Sequence, residues 1–179
     1  MKRIFLFVLF IALFVAALAA QDVAAELTFD FKRLSGTATN QYAVWIEDSR
    51  GQHIKTLYAT RFTAAGGHAR RDSSIPLWVK QSGVSGMSKQ QVDALTGATP
   101  RAGIQIYTWN GTDSRGAAVP KGDYTIYLEG TLRWANQVLY SAPIRIGQGA
   151  ASPEVAVKYT GDAGADREMI SGVKVRVMR

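Results

Sequence analysis

The chain has no cysteine among its 179 residues. That absence removes disulfides, thiol nucleophiles, iron–sulfur ligation and cysteine zinc sites together. Histidine is almost as scarce. His53 and His68 are the whole set, too few for a histidine metal cluster and thin support for a histidine-based relay. A hydrolase built on Ser or Asp with either histidine also lacks a nucleophile motif in its required context. Charged residues are 20% of the chain, and its basic residues, Arg61, Arg70, Arg71, Arg101, Arg133 and Arg167 among them, are scattered rather than massed. No internal repeat or low-complexity tract is present. What remains is a 47% hydrophobic chain, rich enough in apolar residues to fold and long enough for one domain.

The start of the chain stands apart. Lys2-Arg3 precedes Ile4 to Ala20, 17 residues without a charge or a polar side chain. A basic start, an apolar stretch and small residues at its end describe a secretory signal peptide. Ala17-Leu18-Ala19 supplies a small-x-small cleavage pattern, and Val23-Ala24-Ala25 supplies a second, as late as residue 25. The alternative is a retained anchor, for which the run is slightly short. Cleavage after Ala19 takes the net charge from +7 to +5. An exported chain of that charge is not expected to meet nucleic acid, nor to stay inserted in the membrane once cut. Residues 1–19 are therefore read as signal peptide and 26–179 as one β-sandwich domain.

The body reads as short strands. Leu27, Phe29 and Phe31 alternate with polar residues, as do Tyr42, Val44 and Ile46 with their neighbours, the period of a half-buried strand. Asp48-Ser49-Arg50-Gly51 is a turn, and Ile54 to Thr60 returns as a strand. Ile104 to Trp109 and Tyr124 to Leu132 are expected to pair with each other. Val138 to Ile146 follows, where Pro143 marks an edge or a bulge. Val155 to Tyr159 and then Val173, Val175 and Val177 complete eight or nine strands. The expected fold is all-β, an immunoglobulin-like antiparallel sandwich; a closed barrel is the alternative.

One segment departs from this pattern. Ser88 and Gln91 form a capping box, with Met87 and Val92 spaced as its hydrophobic staple. A single short helix is expected from there to Leu95 or Thr96, ended by Gly97. With the loop-rich residues before it, this makes 61–103 a long excursion, and long connections in compact domains tend to be functional. Trp45, Trp78, Trp109 and Trp134 offer either an aromatic ligand platform or core packing.

Two motifs carry further information. Trp109-Asn110-Gly111-Thr112-Asp113, with Gly116, Val119-Pro120, Gly122 and Tyr124, resembles a motif in the immunoglobulin-like domain of flagellar hook-capping proteins. Asn110, Asp113 and Asp123 carry oxygens that calcium accepts, but the calcium-loop spacing is missing and turn capping is the competing role. Asp93-Ala94-Leu95-Thr96-Gly97-Ala98-Thr99-Pro100 resembles the attachment motif of covalent FMN carriers: Asp, two free positions, Ser or Thr, Gly, Ala, then Ser or Thr. That resemblance implies FMN joined through its phosphate to Thr99 by a flavin transferase. Asp93, Thr96, Gly97 and Ala98 complete the motif, and Arg101, Arg70 and Arg71 are candidates for the phosphate.

Val44 to Asp48, Lys55 to Thr60, Asp93 to Pro100, Trp109 to Asp113 and Leu128 to Trp134 together resemble an uncharacterised family of predicted periplasmic bacterial proteins. The resemblance spans about residues 26–148. It implies a periplasmic sandwich associated with PepSY-type membrane redox proteins and flavin transferases. The expected function is then an accessory or electron-carrier protein of a flavin-linked extracytoplasmic redox pathway, not itself an enzyme. The alternative is a non-enzymatic binding module that uses the 61–103 region.

Overall fold

A computed structural model of the chain describes residues 23–37, 39–97, 100–162 and 164–178. The expected leader, residues 1–19, lies outside them, as do Ala98 and Thr99.

The strands are β1 (Ala25–Phe31), β2 (Thr39–Asp48), β3 (His53–Thr60), β4 (Thr96–Gly97), β5 (Gly103–Trp109), β6 (Gly122–Arg133), β7 (Asn136–Ile146), β8 (Ala156–Thr160) and β9 (Ile170–Val177). They form two sheets, one ordered β5-β1-β9 and the other β4-β3-β2-β6-β7-β8. Every pairing is antiparallel except that of β3 with β4. The all-β, mostly antiparallel sandwich is therefore present. The expected partnership of 104–109 with 124–132 is not. β5 pairs with β1, and β6 lies between β2 and β7. The connection between β5 and β6 crosses from one sheet to the other. It folds on itself through the Asp113–Ala117 and Val119–Gly111 backbone bonds at 2.8 and 2.9 Å. Pro143 sits where expected: β8 covers β7 only from Gln137 to Ser141, so Pro143 faces a free edge where no donor is needed.

The inner core lies between the sheets. Leu27, Phe29 and Phe31 of β1 meet Tyr42, Val44 and Ile46 of β2 and Ile126 and Leu128 of β6. A second core covers the outer face of the six-stranded sheet, where Ala43, Trp45 and Ala59 meet Ala64, Ile75, Trp78, Val84 and Val92. This explains β2, which is buried at every position from Thr39 to Glu47. Its two faces serve two different cores.

The excursion that builds the outer core is more ordered than a loop. It holds α1 (Arg61–Ala64), α2 (Pro76–Ser82) and α3 (Lys89–Leu95), with short 3-10 turns between. Three short helices replace the single one expected, because α1 and α2 are made by packing rather than by local pattern. Helix α2 has no side-chain cap of its own. Glu129 on β6 closes it: its carboxylate accepts the backbone N–H groups of Leu77 at 3.1 Å and Trp78 at 2.8 Å. Thr131, two residues on, accepts from Ile75 N at 2.8 Å and donates to Ser73 O at 3.0 Å. These bonds hold Ile75 in the left-handed region (φ 41°) while its side chain is fully buried, a costly conformation for a β-branched residue.

Helix α3 keeps the expected capping box in both directions: Gln91 N to Ser88 Oγ, and Ser88 N to Gln91 Oε1. Its expected terminator is corrected. Thr96 is already extended (φ −107°, ψ 150°) because Thr96 and Gly97 pair in parallel with Ala59 and Thr60. Gly97 serves a close approach instead: a Cβ there would lie 2.9 Å from Tyr58 Cε2.

Candidate functional site

The motif segment runs from the end of α3 into β4, beside the point where β3 passes into α1. Asp93 is exposed on α3, and its Oδ1 lies 3.1 Å from Arg61 Nη1. Thr96 points a buried hydroxyl into the protein, and among the described residues its Oγ1 has no hydrogen-bond partner. Gly97 rests on the Tyr58 ring. Arg101 is exposed beyond the motif, and its carbonyl accepts from Gln105 Nε2 at 3.0 Å. Thr99 and Ala98, the remaining motif positions, lie outside the described residues.

The structure brings Arg70 and Arg71 to this end of the molecule. Both guanidinium groups face the half-exposed ring of Phe62, at 5.8 and 4.7 Å from its centroid. Phe62 follows Arg61 in α1, so Arg70 and Arg71 reach the same short helix that carries the partner of Asp93. The Gly66-Gly67 turn makes the cluster possible, since a Cβ on Gly67 would run into the Phe62 carbonyl. Arg61 was missed in reading the sequence because its partner, Asp93, lies across a packed excursion. Exposed pairs of this kind contribute only about 0–1 kcal/mol, so Arg61 can exchange Asp93 for another anion at little cost.

Below the motif lies an aromatic cluster. Tyr58 meets Tyr42 at 5.0 Å and Tyr107 at 5.2 Å between centroids, and the Tyr42 and Tyr107 hydroxyls are 2.7 Å apart. Burial pushes the Tyr107 phenol up to about 12 and raises Tyr42 and Tyr58 as well. All three are neutral hydrogen-bonding groups at any physiological pH.

A cavity lies on each side of α3. One, of about 370 Å³, runs between Gln91, Ala94 and Leu95 of the helix and His53, Lys55 and Arg115 opposite. Thr56 Oγ1 accepts from Trp78 Nε1 at 3.0 Å and sits 2.8 Å from His53 Nε2. Burial lowers the His53 pKa, which favours the neutral ring. Lys55 Nζ donates to Thr112 Oγ1 at 2.7 Å. The other cavity, of about 340 Å³, is crossed by Ser85 Oγ at 3.1 Å from His68 Nε2, with His68 Nδ1 2.9 Å from Thr63 O. Ser85 stands on a three-residue 3-10 turn rather than a strand-to-helix elbow. The pair ties two turns together.

The remaining sequence candidates separate. Asp113 caps its own turn, accepting from Arg115 N and Ala117 N at 2.9 Å. The Ala117 N–H bond leads the interactions that hold its carboxyl below the usual range. Asp123 pairs with Arg145, and Asn110 Oδ1 accepts from Thr112, so the three oxygens imagined for calcium have separate partners. The tryptophans form no platform. Trp109 is in the inner core, Trp45 and Trp78 are in the outer core, and Trp134 is 60% exposed on the β6–β7 hairpin.

The fold is thus a two-sheet sandwich with a helical cover on one outer face, and its sequence motif lies where cover and sheet meet. Residues 23–164 match the family of predicted periplasmic proteins DUF2271, and the chain belongs to that family. No curated protein and no solved structure matches it. Among the described residues, no helix is long and apolar enough to cross a membrane.

Proposed function

We propose that this protein is an exported carrier in a flavin-linked redox pathway of the periplasm, holding FMN covalently on Thr99. The observation that carries the reading is the setting of the motif: Asp93 is tied to Arg61 of α1, and Arg70 and Arg71 face Phe62 of the same helix. Bound FMN would supply one- and two-electron transfer. The chain's own work is to offer the hydroxyl, and to neutralise the phosphate through arginine hydrogen bonds, which are strong when both partners are charged.

Attachment would be performed by a flavin transferase. The Thr99 hydroxyl would attack the FMN phosphorus of flavin adenine dinucleotide. An O–P bond forms, the pyrophosphate bond breaks, AMP leaves, and the hydroxyl proton passes to a base of the transferase. A PepSY-type membrane redox protein is the proposed electron partner, and the leader is proposed to be cleaved on export. The test is co-expression with a transferase that is active on a control substrate, followed by intact mass and absorbance after denaturation. A mass gain of one FMN residue, lost in Thr99→Ala and kept in Thr96→Ala, is expected. An unmodified mass overturns the carrier and leaves a binding module built on the 61–103 cover.

A further inference from the structure

The cavity between α3 and the start of β3 has a lining that matches one kind of group. Its helix side is apolar at Ala94 and Leu95, with Met87 at the end. Its opposite side carries Lys55, Ser114 and Arg115. The lining therefore holds two cations and no carboxylate, and at about 370 Å³ it falls within the ~300–1,000 Å³ usual for small-molecule sites. Lys55 is held by Thr112, while the exposed Arg115 pairs with Asp113, so Lys55 is positioned before any ligand arrives and Arg115 can turn toward one at little cost. His53 is held by Thr56, which Trp78 holds in turn. That wall is fixed by side chains of the outer core.

We infer that this cleft seats the isoalloxazine ring of the FMN carried on Thr99, its dimethylbenzene end against Met87, Ala94 and Leu95 and its pyrimidine carbonyls toward Lys55, Ser114 and Arg115. The inference rests on the carrier reading above. A flat ring that is apolar at one end and rich in acceptors at the other suits a cleft with one apolar and one donor wall. Reach agrees: Leu95 lines the cleft and stands four positions before Thr99, a chain distance of at most about 14 Å, and the ribityl chain extends that span. The arginines near Asp93 would remain with the phosphate, so the two ends of the cofactor would meet two different parts of the cover.

The experiment uses full-length protein loaded by co-expression with a transferase, and reads acrylamide quenching of the flavin fluorescence against free FMN. A Stern–Volmer constant several-fold below that of free FMN is expected. Ala94→Leu narrows the cleft from the exposed face of α3, and Ser114→Leu narrows it from the opposite wall. Each is expected to return the constant to within about twofold of free FMN while the mass gain of one FMN persists. Two variants on different elements guard against a failure of either to fold. A loaded wild type quenched as readily as free FMN overturns the cleft, and so does protection unchanged in both variants. A missing mass gain instead overturns the carrier reading, so the two failures are distinct.

Discussion

Glu129 and Trp78 are 51 residues apart in the chain, yet the carboxylate of one accepts the backbone N–H of the other at 2.8 Å. Through this bond a sheet strand completes a helix that has no cap of its own. Burial pushes the Glu129 carboxyl up from 4.5 to about 7, and the Trp78 and Leu77 N–H bonds limit the rise. The folded chain thus holds this proton more tightly than the unfolded chain does, and folding takes up a proton between those values. The contribution of this group to stability is greatest below about pH 4.5 and falls by about 3 kcal/mol as pH rises through 7. Urea unfolding at several pH values should show this slope, and Glu129→Gln should flatten it.

Gly97→Ala tests the close approach at the motif. The new methyl would meet Tyr58, whose ring is itself packed by Tyr42 and Tyr107. A loss of about 1–3 kcal/mol is expected from overpacking, read as a lower urea midpoint with an unchanged slope.

Arg61→Gln separates stability from attachment. The Arg61–Asp93 pair is exposed, so its loss should move the unfolding free energy by less than about 1 kcal/mol. The rate of flavin attachment should fall several-fold in a transferase time course followed by mass. An unchanged rate would remove Arg61 from the site.

Trp134→Asn tests a strained hairpin. Trp134 adopts φ 52° while 60% exposed, and Asn tolerates the left-handed region better. The substitution should raise stability by about 0.5–1 kcal/mol, measured by thermal unfolding.

Amino-terminal sequencing of the exported protein should give a start near residue 20. A cut as late as residue 25 would strip Ala24, whose backbone bonds to both Trp109 and Met178, and Ala25, which begins β1. Met1 retained in membrane-bound material would make the segment an anchor.

Much of the sandwich was legible. Strands with one buried face, such as β1, show their period in the residues themselves, and the Ser88–Gln91 capping box is a local signal that survived intact. Other parts depend on distant partners. Helix α2 needs Glu129 and Thr131, and β4 is two residues long because β3 offers it an edge. Nothing local to Glu129 shows that a helix covers its face of β6. The pairing of β5 was misread because sequence adjacency suggests a hairpin, whereas the 110–121 connection carries the chain to the other sheet. At the motif, Asp93 was legible and Arg61 was not, because their meeting depends on the path of the whole cover.

The two-sided burial of β2 also sets the order in which the molecule opens to water. Among the described residues, the helical cover is joined to the sheet ladder through the two residues of β4, and otherwise by side chains. It can lift away while the inner core stays closed. Amide protons of the cover should then exchange with solvent deuterium by a partial opening, whereas those of β2 wait for the global event. A group held between cover and sheet would slow that first opening without touching the second.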